Sequence, residues 1–403
     1  MIQPLRGIGA LYGEIRGNTI ELMVLTRLTA WRIVLGKWIS IFAQTALLFV
    51  AVFPYLILRY FLGGMDLFAE LTMLTSIFLL SGVFTALTVG LSALPSVPVR
   101  GLVPMAGGVV VAGWIFSLME GDLFARMTHS FDLGLSSSRL GIFGGVLTGS
   151  YIAWLLLSLA ASIIAPAAEN HSTRQRLVAA GSLLLIGLLS PLFHPTPNGL
   201  SLAVFLIVLP ALILAVSEPF QLLPSTTEPF LRRGTAGRLS GRLLYPGWPS
   251  GILYGFTLMA LAGAVFILHR SLFDTNYRIW LLSMVSMFFF PVVILGLFPK
   301  VKSRFGLYLL VLVVSFVAPT AAEIVAKAMP GESHSFLWAF CWLPSGLNSL
   351  VPQGVALEGV VWNVAVILTA TYVILSLAFV IPRLSAISEV EEESLGIPKP
   401  ESP

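Results

Sequence analysis

The amino-acid sequence predicts an all-α polytopic membrane protein with about ten transmembrane helices, and three observations carry that expectation. Hydrophobic residues fill 57% of the 403 positions and charged residues only 10%, against about 25% charged in soluble domains; that is too little polarity to coat a water-exposed surface. The charge falls in short clusters between long apolar runs. Those runs are continuous rather than alternating, which suits helices and argues against barrel strands.

A helix needs roughly 17–25 apolar residues to cross a bilayer. In chain order the runs cover 38–62, 71–94, 102–118, 141–165, 177–192, 200–216, 250–268, 279–298, 306–327 and 361–381. The first closes near Arg59, which can snorkel outward or pair with Asp66. The fifth and sixth are short, and the stretch Pro191–Asn198 between them could instead tip a re-entrant hairpin, leaving eight spans. The ninth ends with Glu323 and Lys327, four apart and able to pair on one helix face. The outer segment 328–360 carries Trp338, Phe340 and Trp342, aromatic enough to lie in the outer interface or dip into it. Residues 388–403 are acidic and Pro-rich and read as a disordered tail.

Orientation follows from Lys and Arg, which concentrate on the cytoplasmic side. With the N-terminus inside, only Arg59, Arg126, Arg139, Arg270, Arg278 and Lys327 of the 23 basic residues fall outside. Both termini are then cytoplasmic, and the localisation is a multi-pass cytoplasmic (inner) membrane protein.

Several function classes are disfavoured. The net charge of +4 follows from topology and marks no nucleic-acid patch. One cysteine, Cys341, excludes an internal disulfide and multi-cysteine metal sites. The histidines (129, 171, 194, 269 and 334) are scattered over loops and span ends, so no metal or cofactor is expected. No nucleophile–base arrangement is recognisable. The first 30 residues, broken by Arg6, Glu14, Arg16, Glu21 and Arg27, do not read as a cleavable signal. Ionisable residues at mid-span, the usual mark of a proton path, are nearly absent, which places any energy source outside the membrane. No G-x-x-x-x-G-K-[ST] phosphate loop occurs, so the chain is not expected to hydrolyse nucleotide itself.

The most informative segment is 12–38, within a cytoplasmic region set at 1–37. Asn18 can cap a helix and Glu21, three residues on, closes a capping box. Ile20, Met23, Val24 and Leu28 recur at helical spacing, so an amphipathic helix at 18–28 can lay one face on lipid or on a partner. Thr29 is a second cap, and Trp31, Arg32, Lys37 and Trp38 suit the water–bilayer boundary. On these residues alone the favoured reading is a plain interfacial anchor that fixes the first helix in depth.

The order Glu14, Gly17, Thr19, Glu21, Leu22, Leu25, Thr26, Leu28, Thr29, Ile33, Val34, Gly36, Lys37 resembles the cytoplasmic loop of ABC-2 type transporter permeases. That loop runs Glu, then Gly-Thr-x-Glu-Leu, a short apolar run, Thr-Pro-Leu-Ser, and Ile-Val-x-Gly-Lys at the next helix. Here Asn18 is inserted after Gly17, and Arg27 stands where the family has Pro. The resemblance implies a coupling segment, carried by Glu14, Thr19, Glu21, Thr26 and Arg27, that docks on an ABC ATPase subunit in trans. Gly36 and Lys37 would set the start of the following helix. It also implies a homo- or heterodimer of permeases.

In the family two spans precede this loop, whereas ten follow it here. Loop lengths suggest a reason, because the order of segments from residue 1 is repeated from 217. Cytoplasmic segment 217–249 corresponds to 1–37, and the short inner loops Pro95–Arg100 and Pro299–Arg304 share a pattern. Two tandem ABC-2-like halves are therefore expected, 38–165 with four spans and 166–387 with six, the first lacking its first two spans. The leading expectation is a permease subunit moving an unidentified substrate, for which apolar spans suit a lipidic or amphipathic molecule. The alternatives are a ten-helix secondary carrier and a non-transporting anchor or scaffold subunit.

Overall fold

A computed structural model of the chain describes residues 2–17, 28–63, 67–94, 100–101, 136–166, 169–193, 197–269, 275–298, 301, 304–328, 342–343 and 355–395. Its regular elements are helical: α1 (Ile2–Leu5), a 3-10 turn (Arg6–Gly9), α2 (Tyr12–Arg16), α3 (Ala30–Leu62), α4 (Leu67–Ser92), α5 (Ser136–Ile164), α6 (His171–Phe193) and α7 (Pro197–Ser217). There follow α8 (Pro224–Leu231), α9 (Gly234–Leu244), α10 (Trp248–Leu268), α11 (Thr275–Leu297), α12 (Arg304–Ala328) and α13 (Val355–Ser394).

Six helical stretches among the described residues are long and apolar enough to cross a membrane: 30–62, 70–92, 143–164, 199–217, 248–268 and 360–394. Shorter apolar stretches occupy 281–297 and 304–319. The expected span 177–192 falls within α6, and the expected span 102–118 lies outside the described residues. The protein is thus an α-helical membrane protein.

The chain divides into two compact units, Met1–His171 with Ser201–Ile207, and Ser172–Leu200 with Val208–Pro403. In the first unit α4 packs most extensively on α5, and α3 packs on both. Small side chains make the approach close. A Cβ on Gly90 would stand 2.7 Å from the Leu156 carbonyl oxygen, and Ala86, Val89, Ala93, Leu157, Ala160 and Ala161 form the buried seam. Apolar solvent drives no such association in lipid, so van der Waals contact between small residues has to.

The helix α3 begins at Ala30 with Thr29 extended at its N-cap position, eight residues before the span expected from 38. The polar Arg32 and Lys37 read in sequence as boundary markers, yet Ala30, Ile33 and Val34 already face the core. The helix is 33 residues long, about 50 Å at 1.5 Å per residue, so it exceeds a roughly 30 Å hydrocarbon layer. Gly63, at φ +85°, ends it by donating its N–H to the Tyr60 carbonyl. Beyond it, Arg59 pairs with Glu70 of α4 at 3.2 Å; the expected partner Asp66 lies outside the described residues.

In the second unit the most extensive packing is α11 on α13. Ser286 and Thr369 hydroxyls share a 2.7 Å hydrogen bond between them, and a Cβ on Gly296 would meet the Phe379 ring at 2.5 Å. On α10, a Cβ at Gly251 would stand 1.9 Å from the Ala215 carbonyl oxygen of α7. Of the aromatic segment 328–360, Trp342 is exposed, while Leu343 joins Phe289, Phe290, Val293 and Tyr372 in a core cluster. Trp338, Phe340, Cys341 and the side chains of Glu323 and Lys327 lie outside what is described.

One expectation is corrected here. Residues 388–394 are not a disordered tail; they continue α13 to Ser394. Val380, Ile387 and Glu391 are all buried at spacings that keep one helix face inward, so tertiary contact outweighs the local acidity. Residues 217–249 hold two short helices, α8 and α9, that pack on each other.

Candidate functional site: polar clamps at the helix ends

In the first unit, residues 2–16 are fastened to the end of α4. Leu11 is fully buried among Ala30, Val34, Val89 and Ala160, its N–H donates to Ser92 Oγ at 3.2 Å, and Thr88 Oγ1 donates to the Pro4 carbonyl at 2.6 Å. Gly7 is required for this approach, because a Cβ there would fall 2.2 Å from Thr88 Oγ1. The short helix α2 that results carries Glu14, which forms an ion pair with Lys37 on α3. Tyr12 on the same helix receives Arg100, whose guanidinium carbon lies 3.4 Å from the ring centroid.

Among the residues singled out in the sequence, Glu14 and Lys37 are therefore brought together. Gly36 is on α3 with open space around it. Thr19, Glu21, Thr26, Arg27 and the expected helix at 18–28, save Leu28, lie outside the described residues. Trp38 is held at the same level by donating its indole N–H to the Gly82 carbonyl at 3.0 Å.

The second unit holds two clamps that the sequence reading missed. Arg176, with a 2% exposed side chain, donates to the carbonyls of Leu243 (3.0 Å), Tyr245 (2.6 Å) and Gly247 (3.1 Å) and to Glu218 Oε2 (3.0 Å). Glu218 also accepts from the Gly247 N–H at 2.9 Å and from the Ser172 hydroxyl. One guanidinium thus sets the ends of α6 and α7 and the turn before α10, where Gly247 sits at φ +111°.

The other clamp centres on Glu391, which is 0% exposed. Arg238 Nε donates to it at 2.6 Å and Arg242 Nη2 at 2.9 Å, while Arg242 also donates to Ser388 Oγ at 3.0 Å. These contacts fix α9 to the end of α13. The hydrogen bond to Glu391 holds the Arg242 guanidinium above its usual range. Burial, with the Glu391 carboxylate nearby, pushes the Tyr245 hydroxyl up to about 12. Arg232 is exposed and pairs with Glu228 one turn back at 2.6 Å.

A parallel links the two units. Arg100 and Arg304 close the stretches Pro95–Arg100 and Pro299–Arg304, and each lies over an aromatic ring, Tyr12 of α2 in the first unit and Trp248, the first residue of α10, in the second. Arg304 is 4.5 Å from the centroid of Trp248, as Arg100 is 3.4 Å from that of Tyr12. Among the described residues no three His, Cys, Asp or Glu side chains gather as a metal ion would need. Among the described residues the arrangement offers fixed charge and mechanical connection between helix ends.

No family model matches the chain, and neither the curated proteins nor the solved structures contain a match to it.

Proposed function

We propose that the chain is the membrane permease subunit of an ATP-driven ABC-2 type transporter, working with a separate ATPase subunit at the cytoplasmic membrane. The observation that carries this reading is the ordered set from Glu14 through Glu21 and Arg27 to Lys37, which resembles the coupling loop of that family. The Glu14–Lys37 ion pair supports it, because a loop whose two flanks are tied together can pass a push from a docked partner straight into α3. In this reading the chain crosses ten times with both termini inside, and its apolar spans carry a lipidic or amphipathic substrate.

Two tandem halves belong to the same proposal. Supporting it are the Arg100–Tyr12 and Arg304–Trp248 contacts and the matched dominance of α4 on α5 and α11 on α13. The correspondence is partial, since α3 packs on α4 whereas α10 packs on α13.

The test is purification of the full chain from its native membranes in mild detergent. A co-purifying subunit with a phosphate-loop ATPase sequence, identified by mass spectrometry, is the expected result. A co-purifying quinone or redox subunit with no ATPase would replace this reading with that of a membrane anchor.

A further inference from the structure

Arg304 opens α12, and its guanidinium carbon lies over the Trp248 ring, 4.5 Å from the centroid. This cation–π contact engages the ring and provides no hydrogen-bond acceptor for the guanidinium N–H donors. The Nε of Arg304 is closed off from water and has no hydrogen-bond partner among the described residues. A buried donor on a permanent cation is costly to leave unsatisfied, so a missing acceptor is indicated.

The surroundings sharpen what that acceptor is. Arg383 on α13, exposed, stands near enough for its charge to repel that of Arg304. Neither arginine has a carboxylate partner among the described residues, because Glu391 is committed to Arg238 and Arg242. Glu389, Glu392 and Glu393 further along α13 are exposed. Two neighbouring like charges without a counter-ion repel each other, and an anion from outside the chain would relieve that repulsion. Guanidinium edges match a phosphate oxyanion by paired, near-parallel N–H donors.

Depth completes the argument. Trp248 is the first residue of an apolar helix, and Arg383 follows directly after Pro382, where the apolar run of α13 ends. Tryptophan and arginine at that level stand among lipid head groups. We infer that Arg304, Arg383 and Trp248 form a site for the phosphate of an anionic phospholipid head group. The adjoining Lys300 and Lys302 lie outside the described residues and are not counted in it. The site depends on membrane insertion and not on the transporter reading.

The test uses the full chain in nanodiscs of phosphatidylcholine with or without added phosphatidylglycerol, an anionic lipid of the kind that attracts interfacial basic residues, followed by native mass spectrometry. Wild type is expected to retain phosphatidylglycerol, and the double variant Arg304→Gln/Arg383→Gln to retain roughly 30-fold less, as expected for two interfacial charges. Arg304→Lys/Arg383→Lys keeps both charges and is expected to bind between the two, which separates loss of the site from loss of the fold. Arg233→Gln, an exposed arginine elsewhere on the unit, should leave retention unchanged. A parallel arm adds inorganic phosphate to phosphatidylcholine discs. Equal lipid retention by wild type and the Gln variant overturns the site. Thermal stabilisation of wild type by inorganic phosphate, with no retained phosphatidylglycerol, overturns its assignment to lipid.

Discussion

Glu14 on α2 and Lys37 on α3 form an ion pair across the foot of the first long helix, joining the two sides of the segment 18–27 that separates them in sequence. Their side chains are 19% and 39% exposed, so solvent screens the pair and it contributes on the order of 0.5–1 kcal/mol. We expect Lys37→Glu to speed amide exchange over residues 12–17 and 28–36. The reversed pair Glu14→Lys/Lys37→Glu should restore most of that protection. No restoration would mean that the two charges act separately.

Close backbone approach predicts the largest effect of a small change. Gly251→Ala places a methyl group 1.9 Å from the Ala215 carbonyl oxygen, and a backbone atom cannot swing away as a side-chain tip can. A loss of about 1–3 kcal/mol or more is expected in unfolding titrations in mixed micelles. Gly263→Ala on the same helix meets nothing within 4 Å and should be neutral, or stabilising by up to about 1 kcal/mol from helix propensity.

The Glu391 clamp should govern α8 and α9. Removing its charge leaves Arg238 and Arg242 facing each other, though at 42% and 30% exposure they are partly solvated. Glu391→Gln is therefore expected to cost about 2 kcal/mol, below the 3–5 typical of a fully buried pair. Hydrogen exchange over 224–244 should accelerate. Glu392→Gln, at an exposed neighbour, should stay within about 0.5 kcal/mol of wild type.

Alkaline pH should loosen the same region. Tyr245 ionises only at about 12 in the folded protein against its ordinary 10, so folding favours the neutral hydroxyl. That preference costs nothing below pH 10, and stability then falls as the pH rises from 10 to 12. Tyr245→Phe should flatten the fall over that window in a thermal-melt series. An unchanged slope would place the tyrosine in a more solvated setting than its burial indicates.

Much of the fold was legible because lipid leaves so few solutions: continuous apolar runs must be helices, and scarce charge must lie at their ends. The places where the reading slipped were those where a polar residue is buried by a distant partner. Arg176 meets Glu218 and the 243–247 carbonyls across some 40–70 residues of chain, and nothing local to either residue signals it. Glu391 lies in an acidic, Pro-rich stretch whose composition reads as a tail, although Val380, Leu384, Ile387 and Glu391 keep helical spacing on one face and mark the continuation. Lys37 and Glu14 were both noticed, but as separate motif positions rather than as partners.

The central claim is that the N-terminal segment docks an ATPase, and it rests on Glu21 and Arg27. The most direct measurement is ATPase retention on the affinity-purified full chain, compared between wild type and Glu21→Ala/Arg27→Ala at matched membrane expression. The account predicts a stoichiometric ATPase subunit on wild type and its loss from the double variant, with the chain still folded by exchange protection of 30–62. Equal retention of the ATPase by both proteins would contradict it.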